Sequence, residues 1–337
     1  MKHSNISIFI PHAGCPQQCS FCNQKTISGS KSAPGPSEVH RICRQALSEV
    51  SDKRNCEIAF FGGSFTAIDR AYMISLLEAA GSYIGKDGFH GIRISTRPDF
   101  INKDILDILK RYGVTAIELG AQSMDNSVLE ANNRGHKAED VFIASELIRE
   151  LGFELGLQMM TGLYRSSYSD EVSTMNKIIQ INPDTVRIYP VVVLSGTRLA
   201  DLYNSGEYKM IPFEEMTELC GKMLVEFEEN GIDVIKCGLH ASDEVEGEKI
   251  AGYYHPAFRE ICENKIYRNK MEIEIEKQYK EDISNKCRVT FAVNPSCISK
   301  ALGHKKSNVE YFRNTRGIDI KVTGDMHILK YHCEIRG

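Results

Sequence analysis

An α/β fold is predicted for this chain, with a partial barrel of six parallel strand–helix units followed by a smaller α/β lobe. Two observations carry the prediction. Short β-branched or aromatic runs recur between residues 6 and 191, and each is followed by a stretch with apolar residues three or four apart. The runs are nearly continuous in apolar character, as strands covered by helices are. Six such units in succession favour part of a (β/α)8, TIM-type barrel over a two-domain dinucleotide fold.

The predicted strands are "ISIFI" (6–10), "EIAFF" (57–61), "IRIS" (92–95), "VTAIEL" (114–119), "LGLQMM" (155–160) and "TVRIYPV" (185–191). Helices are expected over 37–50, 71–84, 103–112, 126–132, 139–151 and 171–181, with Asn102 and Asp125 as N-caps. A helix near 213–229 leads to a seventh strand, "IDVIK" (232–236), able to close or flank the sheet. The acidic stretch "HASDEVEGEK" is expected as a surface loop between lobes. After it a helix begins beyond Pro256, and the charged alternation of "MEIEIEKQY" predicts an exposed strand. The domains are therefore set at 1–240 for the barrel and 241–337 for a C-terminal α/β extension.

Charge and composition narrow the function. The net charge of −4 provides no global positive field, so contact with nucleic acid requires a local patch. The N-terminal apolar run is short and lacks a cleavage site, so neither an export signal nor a membrane span is expected, and a cytoplasmic protein is. Eight of the eleven cysteines are scattered, which is not a disulfide framework; each of these is expected to be a buried, reduced side chain.

The other three, Cys15, Cys19 and Cys22, stand in "CPQQCSFC" with C-x3-C-x2-C spacing directly after the first predicted strand. Barrel active sites are built on the loops at the carboxyl ends of the strands. Three thiolates hold three irons of a [4Fe-4S] cluster and leave the fourth without a protein ligand. A structural zinc site is the alternative, since His12 lies three residues before Cys15, but no second CxxC or HxxxH completes it.

C-x3-C-x2-C with an aromatic residue, Phe21, before the last cysteine resembles the signature of the radical S-adenosylmethionine (SAM) superfamily. The resemblance implies that SAM binds the open iron through its amino and carboxylate groups. An electron from a flavodoxin- or ferredoxin-type donor then splits it into methionine and a 5′-deoxyadenosyl radical. It further implies that Gly62, Gly63 and Ser64 of "FFGGSFT" contact the methionine moiety. Ser95 and Arg97 of "STRPD", Gln122 of "ELGAQSMD" and Arg187 of "VRIYPV" become candidates for its ribose and carboxylate. Arg187 has a second reading, as a core arginine paired with Glu118. Tyr189 beside it is either a radical partner or a packing residue. No general acid–base residue is assigned.

Together with "RGH" (134–136), these motifs are most similar to the Elongator-catalytic-subunit-like group, in a bacterial form. The residues after 240 are too few for that group's acetyltransferase domain, so its carboxymethyluridine chemistry is not expected and the substrate stays open between an RNA base and a small metabolite. Near the C-terminus, "SKALGHKKSNVEYF" resembles the helix–GxxG–helix of a KH-type RNA-binding module, with Lys306 in place of the second glycine. Lys305 and Lys306 are the candidate phosphate contacts; a solvated basic face is the other reading. An RNA-binding protein with a structural metal and no radical catalysis is the competing function.

Overall fold

The computed structural model describes residues 4–10, 15, 18–23, 26, 32–279 and 288–336. His12 and Cys287 lie outside the described residues. The chain divides into two compact units, Met1–Met210 with His240–Gly252, and Ile211–Leu239 with Tyr253–Gly337. No helix among the described residues is long and apolar enough to cross a membrane.

In the first unit six strands, β1 (Ser4–Ile10), β2 (Cys56–Gly62), β3 (Gly91–Thr96), β4 (Val114–Gln122), β5 (Glu154–Thr161) and β6 (Thr185–Pro190), pair parallel in chain order. The crossovers carry α1 (Pro36–Glu49), α2 (Arg70–Gly81), α3 (Lys103–Arg111), α4 (Asn126–Ala131), α5 (Ala138–Glu150) and α6 (Tyr168–Ile181). This is the α/β partial-barrel class that the sequence predicts. Asn102 and Asp125 cap α3 and α4 as expected, their side chains accepting from the backbone N–H groups of Ile105 and of Ser127 and Val128. Helix α6 starts three residues before the predicted Glu171 because Ser167 and Asp170 form a reciprocal capping box ahead of it.

The strands read as apolar because one face is: Ile58, Phe60, Ile92, Ile94, Ile117, Leu119, Leu155, Leu157, Val186 and Ile188 are all buried. The opposite face of the same strands carries Glu57, Arg93, Ser95, Glu118, Gln158 and Arg187, joined by hydrogen bonds into one polar layer. Strand alternation separates the two sets. Gly156 lies opposite Glu118, and a Cβ there would come within 2.8 Å of the Glu118 Cγ, so the glycine makes room for the carboxylate.

"HASDEVEGEK" corrects the loop expectation. It forms a short helix in the first unit: with α7 taken as Arg198–Asn204, α8 as Phe213–Glu229 and β7 as Val192–Leu194, the segment gives α9 (Asp243–Glu248) and leads into β9 (Lys249–Gly252). Ser242 caps α9, acidic residues occupy its first turn, and buried Val245 anchors it. Strand β9 pairs antiparallel with β7, and a Cβ at Gly252 would sit 2.7 Å from the Val191 carbonyl oxygen, an approach only glycine allows.

In the second unit α8 and β8 (Asp233–Cys237) appear where a helix and a seventh strand were expected. The strand predicted at "MEIEIEKQY" is a correction, since these residues end the 22-residue helix α10 (Phe258–Tyr279). Tyr267, Met271 and Ile275 continue its buried stripe at intervals of four, while Ile273 stays 45% exposed. The alternation of two is local, and no glycine or proline stops the helix before Tyr279. Strands β10 (Arg288–Val293), β11 (Asp319–Gly324) and β12 (Cys333–Arg336) form a sheet in the order β11-β10-β12, with β10 parallel to β11 and antiparallel to β12. Helices α11 (Ile298–Leu302) and α12 (Ser307–Arg316) lie between β10 and β11 in the chain. The scattered cysteines 43, 56, 220, 237, 262, 297 and 333 are buried and in no disulfide among the described residues, as expected.

Candidate functional site

Strand β1 ends at Ile10, and the Ile10 carbonyl accepts from the Gly63 N–H at 2.8 Å, which sets the Gly-Gly turn beside the exit to the cysteines. Gly62 has φ 106° and a Cβ on it would lie 3.0 Å from the same carbonyl oxygen, so glycine is required there. Ser64 is buried; its hydroxyl bonds to the Thr96 hydroxyl at 3.0 Å and accepts from the Arg97 N–H at 3.0 Å. The ends of β2 and β3 are thereby tied together.

Of the three cysteines, Cys19 is buried while Cys15 and Cys22 are partly exposed. The Cys22 N–H donates to the Cys19 carbonyl at 3.2 Å, a tight turn with Phe21 inside it. Phe21 packs against the apolar cluster of Val128, Leu163, Val191 and Leu199. Cys15 and Cys19 both lie near Arg97, whose pKa is raised: burial opposes the charge, but Asp99 and the two sulfurs outweigh it. Arg97 forks onto Asp99 at 2.9 and 2.6 Å, and its Nη1 is buried with no partner.

Gln122 ends β4 with φ 63°, a left-handed conformation that favours glycine and is uncommon for other residues, next to a register shift. Ser95 accepts from Gln158 at 3.1 Å. Arg187 takes the core-arginine form: its Nε and Nη2 donate to the Glu118 carboxylate at 2.6 and 2.8 Å, and its guanidinium lies 5.2 Å from the Phe61 ring centre. Burial tends to raise the Glu118 pKa, yet Arg187 and Arg93 hold it below the usual carboxylate value. Burial pushes the Tyr189 phenol up, so it stays protonated beside Arg187.

Two residues of the "RGH" segment join this group although the sequence assigned them no role. Arg134 is buried, with Nη1 3.3 Å from the Cys19 sulfur and Nη2 2.6 Å from the Gly120 carbonyl oxygen. His136 lies 3.2 Å from the Ala121 carbonyl oxygen, and burial together with Arg134 lowers its pKa to about 3, so it is neutral. With Nε2 donating to that carbonyl, Nδ1 is an acceptor, and it is buried without a partner; so is the Arg134 Nε donor. The signal available in sequence was an arginine and a histidine one glycine apart after a predicted short helix, which spacing alone connects to nothing.

Among the described residues no group of three or more His, Cys, Asp or Glu side chains is placed to hold a metal ion. A cubane cluster makes a different demand, with one thiolate for each of three separate irons and N–H donors around an anionic cage. Two unmet guanidinium N–H groups belong to Arg97 and Arg134, the two arginines beside the cysteines, and the unmet His136 Nδ1 adds an acceptor suited to an ammonium group. Donors and acceptor together suit an anionic cluster with a zwitterionic amino acid beside it.

In the second unit, Gly303 has φ 90°, and a Cβ there would lie 2.5 Å from the Ser307 hydroxyl. Lys305 and Lys306 follow at φ 52° and 63°, so Lys306 adopts the left-handed backbone that the glycine it replaces would take more cheaply. Most of the basic residues of this segment are engaged: Lys300 with Glu263, His304 with Glu260, Arg313 with Asp319 and Arg316 with Glu272. Lys305 and Lys306 are exposed and enter no ion pair among the described residues.

The family described as "Radical SAM superfamily" matches residues 9–178, and the "Radical_SAM C-terminal domain" matches 183–268. A tRNA uridine(34) acetyltransferase of Methanocaldococcus jannaschii is 30% identical over 52% of this chain and 36% of its own length. Human Elongator complex protein 3 is 32% identical over 55% of this chain and 37% of its own. The solved structure of an N-terminally truncated Methanocaldococcus infernus Elp3 superposes with a TM-score of 0.55 at 20% identity, over 72% of this chain and 61% of that one, a likeness of fold. The chain thus spans little more than a third of these two curated relatives.

Proposed function

The chain belongs to the radical SAM superfamily of enzymes, beside relatives of Elongator type, and on that premise we propose that it cleaves S-adenosylmethionine reductively to modify an RNA base. Cys15, Cys19 and Cys22 would hold the cluster. The observation that carries this reading is the placement of Cys19 after the first barrel strand and against Arg134, with unmet donors on Arg97 and Arg134 around it. A [4Fe-4S] cluster bound there would supply the electron for reductive cleavage of SAM.

The protein's own residues do the rest. The Gly62-Gly63 turn exposes backbone to the methionine moiety, and Ser64 keeps that turn fixed to β3 through Thr96 and Arg97. Arg97 offers its free Nη1 to the carboxylate, and neutral His136 offers Nδ1 to the ammonium. Ser95 and Gln122 face the ribose. Arg187 acts through Glu118 by holding the polar layer in place beneath them. Glu57, Arg93, Ser95 and Glu118 of the polar layer are buried, which limits water near an indiscriminate radical. An RNA substrate is supported by the free Lys305–Lys306 pair on a helix–loop–helix between parallel strands, and by the tRNA named for the M. jannaschii relative.

The test is anaerobic reconstitution with iron and sulfide, followed by reduction and mass analysis of SAM products with and without total cellular RNA. The expected result is 5′-deoxyadenosine and methionine in equal amounts, formed faster with RNA, with the RNA effect lost in the Lys305→Glu/Lys306→Glu variant. Iron-loaded protein that leaves SAM intact contradicts the reading; cleavage indifferent to RNA assigns the radical to a small metabolite.

A further inference from the structure

The segment that follows α4 grips the cysteine loop. The Ser20 N–H donates to the Asn132 carbonyl at 3.1 Å and the Ser20 hydroxyl to the Asn132 side-chain oxygen at 2.7 Å, while Asn133 Nδ2 donates to the Gln18 carbonyl at 2.9 Å. Asn132 is fully buried, and its amide nitrogen also holds the carbonyls of Val128 and Tyr164. Asn133 takes φ 55°, and the Arg134 N–H returns to the Leu129 carbonyl at 3.0 Å, a left-handed helix cap that turns the chain toward the cysteines.

This turn delivers the Arg134 guanidinium to the Cys19 sulfur. Its Nη2 is anchored on the Gly120 carbonyl at 2.6 Å, and a Cβ on residue 120 would lie 3.1 Å from that nitrogen, so Gly120 is what allows the arginine in. Its Nη1 then stands 3.3 Å from Cys19 Sγ, in a buried setting where a charged N–H donor acts with little screening.

We propose that Arg134 is a positioning residue of the cluster, donating a hydrogen bond to the sulfur of its central ligand Cys19 and thereby raising the reduction potential of the cluster. The inference rests on the cluster assignment above. When the cluster takes one electron from an external low-potential donor its negative charge grows, and a cationic N–H aimed at a ligand sulfur stabilises that state. The Asn132–Asn133 clasp sets the loop; Arg134 sets its electronics.

The experiment is a potential titration of the reconstituted holoprotein followed by electron paramagnetic resonance. Arg134→Met is expected to lower the reduced-to-oxidised ratio at fixed potential about tenfold, equivalent to ~59 mV for one electron. Arg134→Lys, which keeps the charge, is expected to recover part of the shift, and Arg70→Ala, at an exposed ion pair in the same unit, to leave the potential unchanged. Because Arg134→Met can fail to take up the cluster, wild-type holoprotein grown on [15N]arginine supplies a second measurement. Its reduced cluster is expected to show a weak 15N coupling that persists in Arg97→Lys and disappears in Arg134→Lys. A full cluster with unaltered potential in Arg134→Met, or with no arginine coupling in the wild type, overturns the proposal. A chain that takes up no iron–sulfur cluster at all counts instead against the preceding reading.

Discussion

Cys19→Ala is expected to reduce iron and sulfide uptake to background and to abolish SAM cleavage, while Cys43→Ala retains both. The contrast is informative because both side chains are buried in the same unit, so the two losses of a thiol disturb similar surroundings. Only Cys19 sits on the clasped loop, with a guanidinium on its sulfur and partners Cys15 and Cys22 on either side. Removing one of three thiolates leaves two irons of a cubane without protein ligands, and two ligands rarely retain such a cluster. Iron quantified per chain, with the visible absorption band, checks it. Full iron in Cys19→Ala would move the ligand set elsewhere in the chain.

The largest effect on stability is expected from Arg93→Met. Arg93 is 1% exposed in the middle of the sheet and donates to Glu57 at 2.7 Å, to Glu118 at 3.4 Å and to Glu154 at 2.7 Å. Methionine fills much of the same volume but takes the guanidinium away from the buried Glu57 and Glu118 carboxylates, and the Thr115 hydroxyl 2.6 Å from Glu57 brings no charge to replace it. Stranding a buried charge costs about 3–5 kcal/mol. By contrast Arg70→Ala, which breaks an exposed pair with Asp104, is expected to cost less than about 1 kcal/mol. The sign with pH follows. In the variant Glu118 loses one of the two arginines that hold its pKa down, so its folded pKa rises, and the deficit is full at neutral pH and shrinks as the carboxyl becomes protonated on acidification. Chemical denaturation of both variants between pH 5 and 8 measures this. An Arg93→Met loss below about 1 kcal/mol, or one independent of pH, would show that the polar layer is not a charge-balanced core.

The six parallel units were legible because each strand shows an apolar face to its covering helix and each crossover repeats a helical spacing. What the sequence hid is the second face. A parallel strand with both faces buried gives no sign of which interior residues are polar by design, so Arg187 read equally well as a ligand contact and as a core ion pair; its pairing with Glu118 across β5 is visible only in three dimensions. "MEIEIEKQY" misled for the opposite reason, because a strict alternation of charge satisfies a strand while Met271 and Ile275 satisfy a helix, and length settles it in favour of α10. At the site, C-x3-C-x2-C announced itself through spacing. Arg134 and His136 did not, because they reach Cys19, Gly120 and Ala121 only through the turn at Asn133, across more than a hundred residues of chain in the case of Cys19.

The central claim is that three thiolates on the first barrel loop leave one iron open to SAM. Electron paramagnetic resonance of the reduced, reconstituted protein, recorded before and after adding SAM labelled with 15N at the methionine amino group, tests it most directly. The account predicts a changed spectrum and a new 15N hyperfine coupling to the cluster; identical spectra from a fully loaded, reduced cluster with and without SAM would contradict it.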